Sequence, residues 1–316
     1  MNNQNFHTVD EIISGLRLAR YSFYLAIRGG SRLSAYPSLG LRGLIGHQLQ
    51  KEICPLPARQ RAGCGKCFIR EQCPYYTLYE KQSLIQGRTN APKGYLFYAA
   101  PFQKGTKIEV ELVLMGRSNE LFPAICQALE TAGATGLGLR SENRLPYSVE
   151  RIEHHFPGGK VPFEAAANIS PQAYSLDQWL EHKEPAAKAR FITPVRLTKK
   201  RETSFDWSLF KTNLARRLEN LNMVYGSGHG FGRNNWLQLY KSMQQWPKPS
   251  ARLRWVELQR HSNRQNRKIP LGGFTGEVDL TDTGPEQQRW WQLASLLHVG
   301  RGTVMGLGRV ELQERP

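Results

Sequence analysis

Residues 271–312 read LGGFTGEVDL TDTGPEQQRW WQLASLLHVG RGTVMGLGRV EL. Residues 273–280 suit a strand. Over 286–298, Trp290, Leu293, Leu296 and Leu297 recur at helical spacing. A glycine-rich stretch, Gly300 to Gly308, then leads into a last strand at 308–313. A dinucleotide-binding loop follows a strand and opens a helix. This loop follows a helix and opens a strand, so that fingerprint does not apply. What remains is the close backbone approach that glycine permits because it lacks a Cβ. Either the loop is a tight helix-to-strand turn, or it meets a polyanionic backbone beside Arg301 and Arg309.

Working outward, 191–198 (FITPVRLT) and 251–260 suit strands, and 207–225 suits a helix with Phe210, Leu214, Leu218 and Leu221 on one face. The C-terminal half is then β-α-β-β-α-β. The N-terminal half repeats it. Strands are expected at 16–28, near Tyr95–Tyr98, across Ile108–Leu114 and at 146–153. Helices are expected at 38–53, with Ser38 as a candidate cap, and at 119–132. Split βαβ units of this kind form ferredoxin-like domains. The expected fold class is therefore α+β, with two ferredoxin-like (RRM-like) domains in tandem. The first spans 1–155 and carries a cysteine-rich insertion at 54–76. Residues 156–188, rich in Pro, Ala, Gly and Lys, read as a linker or surface excursion. The second domain spans 189–316.

The 316 residues carry 43 Lys and Arg against 26 Asp and Glu, a net charge of +17. The sequence has no apolar run of the ~20 residues a membrane helix needs and no secretory signal. The expectation is a soluble cytoplasmic protein with a polyanionic partner, nucleic acid by default, because Lys and Arg release counterions condensed on phosphates. Four of the five cysteines, Cys54, Cys64, Cys67 and Cys73, fall in one stretch. That spacing reads as a metal site rather than disulfides. Zinc would staple the insertion, an iron–sulfur cluster also takes four thiolates, and reduced thiols without a metal are the third option. With four protein ligands either metal would be structural. Cys126 stands alone in an apolar helical context.

Residues 271–312 closely resemble the C-terminal signature of the CRISPR-associated repeat-cleaving endoribonucleases, the "Cas six" group of the RAMP superfamily. RFITPVRLTKK (190–200) resembles the strand opening that family's second domain. YPSLGLRGLIGHQLQ (36–50) resembles its first helix, with the step Leu41-Arg42-Gly43, and CGKCFIREQCPYYTLYE (64–80) resembles a cysteine-bearing insertion found in some members. The resemblance implies an endoribonuclease that binds CRISPR repeat RNA and cuts pre-crRNA once per repeat, without a catalytic metal. A ribose 2′-hydroxyl attacks the adjacent phosphate and leaves a 2′,3′-cyclic phosphate. The alternative is a RAMP subunit that holds guide RNA in an effector complex without cutting. A metal-stapled RNA-binding protein unrelated to CRISPR also fits the charge and the cysteines, but not the repeated glycine loops.

That chemistry needs a base, an acid and a stabilising cation. Histidine suits proton transfer near neutrality. His47 lies on the helix where several family members place a catalytic histidine. Lys51, four residues later, shares its face, and Tyr36 could donate a proton or position the ribose. His229 with Arg233 is the next candidate. His298 reads as structural, and His154 and His155 as solvated. RNA contacts are expected from Arg42, from Lys199, Lys200 and Arg201, and from Arg233. A basic hairpin tip with Arg260, Arg264, Arg267 and Lys268 would suit the phosphates of an RNA stem. The glycine loop would add Gly300, Arg301, Gly302, Gly306, Gly308 and Arg309.

Overall fold

The computed structural model describes residues 8–28, 36–56, 64–81, 85, 92–100, 107–138, 144–163, 172–181, 183–198, 200–262 and 267–314. They form an α+β protein of two compact units. One is Arg17–Tyr174; the other joins Ser175–Pro316 to the N-terminal residues through Leu16. The N-terminal helix α1 (Val9–Gly15) thus belongs with the C-terminal half. Thr8 caps it, in a capping box with Glu11.

In the unit Arg17–Tyr174, β1 (Arg17–Ile27) is followed by α2 (Ser38–Ile53), β2 (Tyr95–Ala99), β3 (Lys107–Met115), α3 (Phe122–Ala132), β4 (Tyr147–Phe156) and β5 (Gly159–Pro162). The sheet order is β2-β3-β1-β4-β5, antiparallel at each pairing. Alternation along β1 sends Tyr21, Phe23 and Leu25 to one face, where Tyr21 stacks on Phe122 of α3 at 3.9 Å. The other face carries Arg20, Ser22 and Tyr24, paired with Glu111, Glu109 and Glu153. Leu41, Ile45 and Leu49 form the buried stripe of α2. Ser38 does not cap α2: Pro37 is the N-cap. The Ser38 Oγ instead accepts from the Ala99 N–H at 2.7 Å, tying the helix start to β2.

The two-residue strand β6 (Tyr174–Ser175) lies at the junction, followed by α4 (Leu176–Glu181) and β7 (Ala186–Val195). Then come α5 (Trp207–Tyr225), α6 (Gly232–Gln245), β8 (Ala251–Val256), β9 (Gln259–Ser262), β10 (Arg267–Pro270), β11 (Gly273–Asp279), α7 (Pro285–Leu297) and β12 (Val310–Glu314). The main sheet runs β12-β7-β11-β8, and β9 pairs with β10 as a separate ribbon. Aromatic residues fill the core: Phe210 lies 5.8 Å from Phe191 and 5.0 Å from Trp291. No helix among the described residues is long and apolar enough to cross a membrane.

Both β-α-β-β-α-β orders are present, but the expected boundaries change. Much of the described part of 156–188 is built into secondary structure; residues 164–171 and 182 lie outside the described residues. Phe156–Pro162 extends the first sheet as a hairpin, and β7 starts at Ala186, five residues ahead of the expected strand. The first unit therefore spans 17–174 rather than 1–155. The alanines of 186–189 hid β7, because Ala186 and Ala189 are fully buried without being strand formers. Residues 251–260 divide into β8 and β9. Helix α6 was missed because its buried residues, Leu239 and Met243, leave a mostly polar sequence.

Candidate functional site

Helix α2 turns one exposed stripe outward: Gly40, Gly43, His47 and Lys51. At 100° per residue these positions fall within about a quarter of the helix circumference. Neither His47 nor Lys51 makes a hydrogen bond or ion pair with another described residue, so both are available to a ligand. A Cβ built on Gly40 or Gly43 meets nothing within 4 Å. Glycine inside a helix costs roughly 1 kcal/mol relative to alanine. Two are present here with no packing demand from the described residues. Tyr36 is half-buried just before the helix, its carbonyl accepting from the Leu39 N–H at 3.2 Å. At ~1.5 Å rise per residue, about 15 Å of helix axis separates position 37 from position 47. The structure therefore groups His47 with Lys51 and leaves Tyr36 at the other end.

Arg42 departs from its expected role in RNA contact. Its Nε donates to the Tyr95 hydroxyl at 3.1 Å, and its guanidinium lies 4.9 Å from the Tyr79 ring centroid. Burial works against its charge, but Tyr95, Tyr79 and Tyr75 more than compensate and raise its pKa. Arg42 is an internal tie between α2 and the segment that follows. The Tyr79 hydroxyl donates to the Arg42 carbonyl at 3.0 Å. Its ring fills the space a Cβ on Gly46 would need, 2.5 Å away.

That segment holds the cysteines. Cys54, Cys64, Cys67 and Cys73 are free thiols, each half-buried, and all line one cavity. Burial pushes the Cys64 thiol above its ordinary value; Glu80 and the other three cysteines push the same way. Among the described residues, no three His, Cys, Asp or Glu side chains already sit close enough to hold a metal ion. Cys126 lies on α3, where burial raises its pKa to about 12.

In the C-terminal unit the glycine loop is mostly an internal device. Gly300, Gly302, Gly306 and Gly308 all have positive φ. A Cβ on Gly308 would stand 1.8 Å from the Val299 carbonyl oxygen, and one on Gly300 would stand 2.4 Å from that of Arg196. The Thr193 hydroxyl donates to the Gly306 carbonyl at 2.8 Å and accepts from the Arg309 N–H at 3.0 Å. Gly306 and Gly308 are buried and Arg309 is paired with Glu311, so these three do not present themselves to RNA as expected. Arg301 is exposed at the loop edge.

The remaining basic residues of the expected RNA contacts lie on separate elements. Arg267 and Lys268 are exposed on the β9–β10 ribbon, where Arg260 Nη1 reaches Met305 Sδ at 3.0 Å. Lys200 and Arg201 are exposed, with Arg201 3.3 Å from Glu257. Lys199 and Arg264 lie outside the described residues. Arg233 and His229 are exposed at and before the start of α6.

His298, His154 and His155 are held by the fold. His298 is fully buried at the end of α7 with φ 56°. His154 and His155 are half-buried and hydrogen-bonded rather than freely solvated. His154 Nε2 lies 2.8 Å from the Gln172 carbonyl oxygen, and burial lowers its pKa. His155 Nε2 lies 2.9 Å from Ser22 Oγ, and burial followed by the charge of Arg20 lowers its pKa to about 4. Sequence reasoning took the pair for surface because β4 was expected to end at 153. A strand running to Phe156 places both on a sheet.

The family profile described as CRISPR-associated endoribonuclease Cas6 matches residues 189–310, and one described as an N-terminal domain (AF_1859_N) matches 16–173. No curated protein matches. Among solved structures, the Cas6 (TTHB231) product complex is 19% identical, with a TM-score of 0.56, over 94% of this chain and 99% of that one. Thermus thermophilus Cas6 (TTHB231) is 18% identical, with a TM-score of 0.52, over 93% and 98%. A chain of a partial Cas6-RT-Cas1–Cas2 complex is 13% identical, with a TM-score of 0.55, over 96% and 47%. At these identities the likeness is one of fold.

Proposed function

We propose that the chain works as a member of the CRISPR-associated endoribonuclease Cas6 family, whose profile matches residues 189–310. It binds CRISPR repeat RNA and cleaves it. We read each unit as ferredoxin-like, because the four strands of its β-α-β-β-α-β run, β1-β2-β3-β4 in one and β7-β8-β11-β12 in the other, lie across the sheet in the order fourth, first, third, second. His47 takes the proton of a ribose 2′-hydroxyl. The freed oxygen attacks the adjacent phosphorus, the bond from phosphorus to the 5′-oxygen breaks, and that oxygen leaves with a proton from water. The products are a 2′,3′-cyclic phosphate and a 5′-hydroxyl. Lys51, one turn from His47, offsets the charge that builds on the phosphate oxygens.

One observation carries this reading: an exposed His47 without a hydrogen bond to any described residue shares a helix stripe with Lys51 and two glycines that have open space above them. The absent side chains give an RNA backbone room to approach the imidazole. Tyr36 stays a candidate for holding a neighbouring nucleotide rather than the reacting one.

The test is cleavage of a labelled repeat RNA in excess EDTA. His47→Ala is expected to slow cutting by about 10²–10⁴-fold, the usual contribution of a positioned acid or base, while RNA binding persists. Lys51→Ala should slow it less. A 2′-deoxy substitution at the scissile nucleotide should abolish the product. Undiminished cutting by His47→Ala would move the chemistry elsewhere, with His229 next. Tight binding without any product from the wild-type chain would favour the non-cutting guide-holding role.

A further inference from the structure

Cys54, Cys64, Cys67 and Cys73 line one cavity of about 290 Å³. The chain brings them there in regular steps. The Cys67 N–H donates to the Cys64 carbonyl, the Arg70 N–H to that of Cys67 and the Cys73 N–H to that of Arg70, each at 3.2 Å. Side chains three apart eclipse one another in such 3₁₀ turns. Cys64, Cys67 and Cys73 stand at the ends of these successive turns and line the same cavity as Cys54, where the four thiols have yet to draw together around an ion. Cys54 arrives from the other side as the C-cap of α2, its N–H donating to the Gln50 carbonyl at 3.0 Å.

Among the described residues, 64–81 have almost no core of their own. The turns Cys64–Lys66 and Arg70–Gln72 bury no residue, Phe68 is 87% exposed, and Leu78 is the buried residue of the π-helical turn Tyr76–Glu80. Small loop-rich pieces of this kind need a staple, commonly a metal or disulfides. Here the thiols are free. Four sulfur donors suit the tetrahedral preference of zinc, and the cavity gives them room to close on an ion.

We propose that Cys54, Cys64, Cys67 and Cys73 bind one Zn²⁺ as four thiolates, drawing residues 64–81 against α2 and bracing the helix that carries His47. Each thiol loses its proton to solvent on binding. The protein fills every coordination position, so the ion takes no part in cleavage. The brace has two attachments to α2: Cys54 at its end, and Tyr79 against Gly46 and Arg42. The site stands apart from the assignment of His47, since its primary readout is metal content.

The full chain is purified in reductant without chelator, and its metal is measured by plasma mass spectrometry. The expected result is one zinc per chain and no visible absorption. Zinc should be lost in Cys64→Ser/Cys67→Ser and retained in Cys126→Ser. A second measurement does not depend on the variants folding. Wild-type chain stripped of metal and given Co²⁺ should show the visible bands of tetrahedral cobalt thiolate. Limited proteolysis should cut within 64–81 faster after stripping, and added zinc should restore protection. Iron with acid-labile sulfide would overturn zinc in favour of a cluster. No bound metal and no uptake of Zn²⁺ or Co²⁺ by the reduced chain would overturn the site.

Discussion

Gly43 sits one turn before His47 on the exposed stripe of α2, with nothing within 4 Å of its missing Cβ. Alanine there relieves the entropic cost of glycine and should stabilise the helix by up to about 1 kcal/mol. The same methyl group occupies the space assigned to the RNA backbone. Gly43→Ala should therefore raise the melting temperature while weakening repeat-RNA affinity and slowing cleavage. Equal or better cleavage by that variant would sink the idea that the stripe admits RNA. Gly308 is the opposite case, since its absent Cβ is demanded by the Val299 carbonyl inside the fold. Both glycines look alike in sequence, because composition records a missing side chain and not which neighbour needs its absence. His47 and Lys51 were legible because four residues make one helical turn. The occupation of Arg42 by Tyr79 and Tyr95 was not, because those contacts span 37 and 53 residues.

At the scale of elements, β1, β3 and β4 share a polar sheet face that carries His155, whose pKa is lowered. The Ser22 hydroxyl gives its proton to Glu109, so His155 Nε2 donates to Ser22 Oγ. Arg20 and Lys160 oppose a positive imidazole there; Glu111 and Glu109 favour it less strongly than burial disfavours it. The folded pKa of about 4 lies below the ordinary 6.5. Above pH 6.5 the ring is neutral folded and unfolded, and this source of stability is fully present. As pH falls from 6.5 towards 4, the unfolded chain takes up a proton that the folded chain resists, so stability drops. Below about 4 both states are protonated and the loss stops growing. Thermal melts between pH 7 and 4 should show this decline, and His155→Gln should flatten it. An identical decline in the variant would assign the acid sensitivity to other groups.

For the whole molecule, the net charge of +17 is the dominant electrostatic fact. RNA affinity should fall steeply with salt, because each neutralised phosphate releases condensed counterions. Replacing both Arg267 and Lys268 on the β9–β10 ribbon with alanine should weaken binding and reduce the log–log salt slope by roughly one per lost phosphate contact. An unchanged slope in a filter-binding series would place the ribbon off the RNA. The sequence by itself determined the charge, the two β-α-β-β-α-β runs, the helix bearing His47 and the four-cysteine spacing, because each is a matter of local period or composition. Only the tertiary structure decided where the units divide, that α1 joins the C-terminal one, and which glycines and charges serve the interior. Those outcomes depend on contacts between residues far apart in sequence, and no local pattern encodes them.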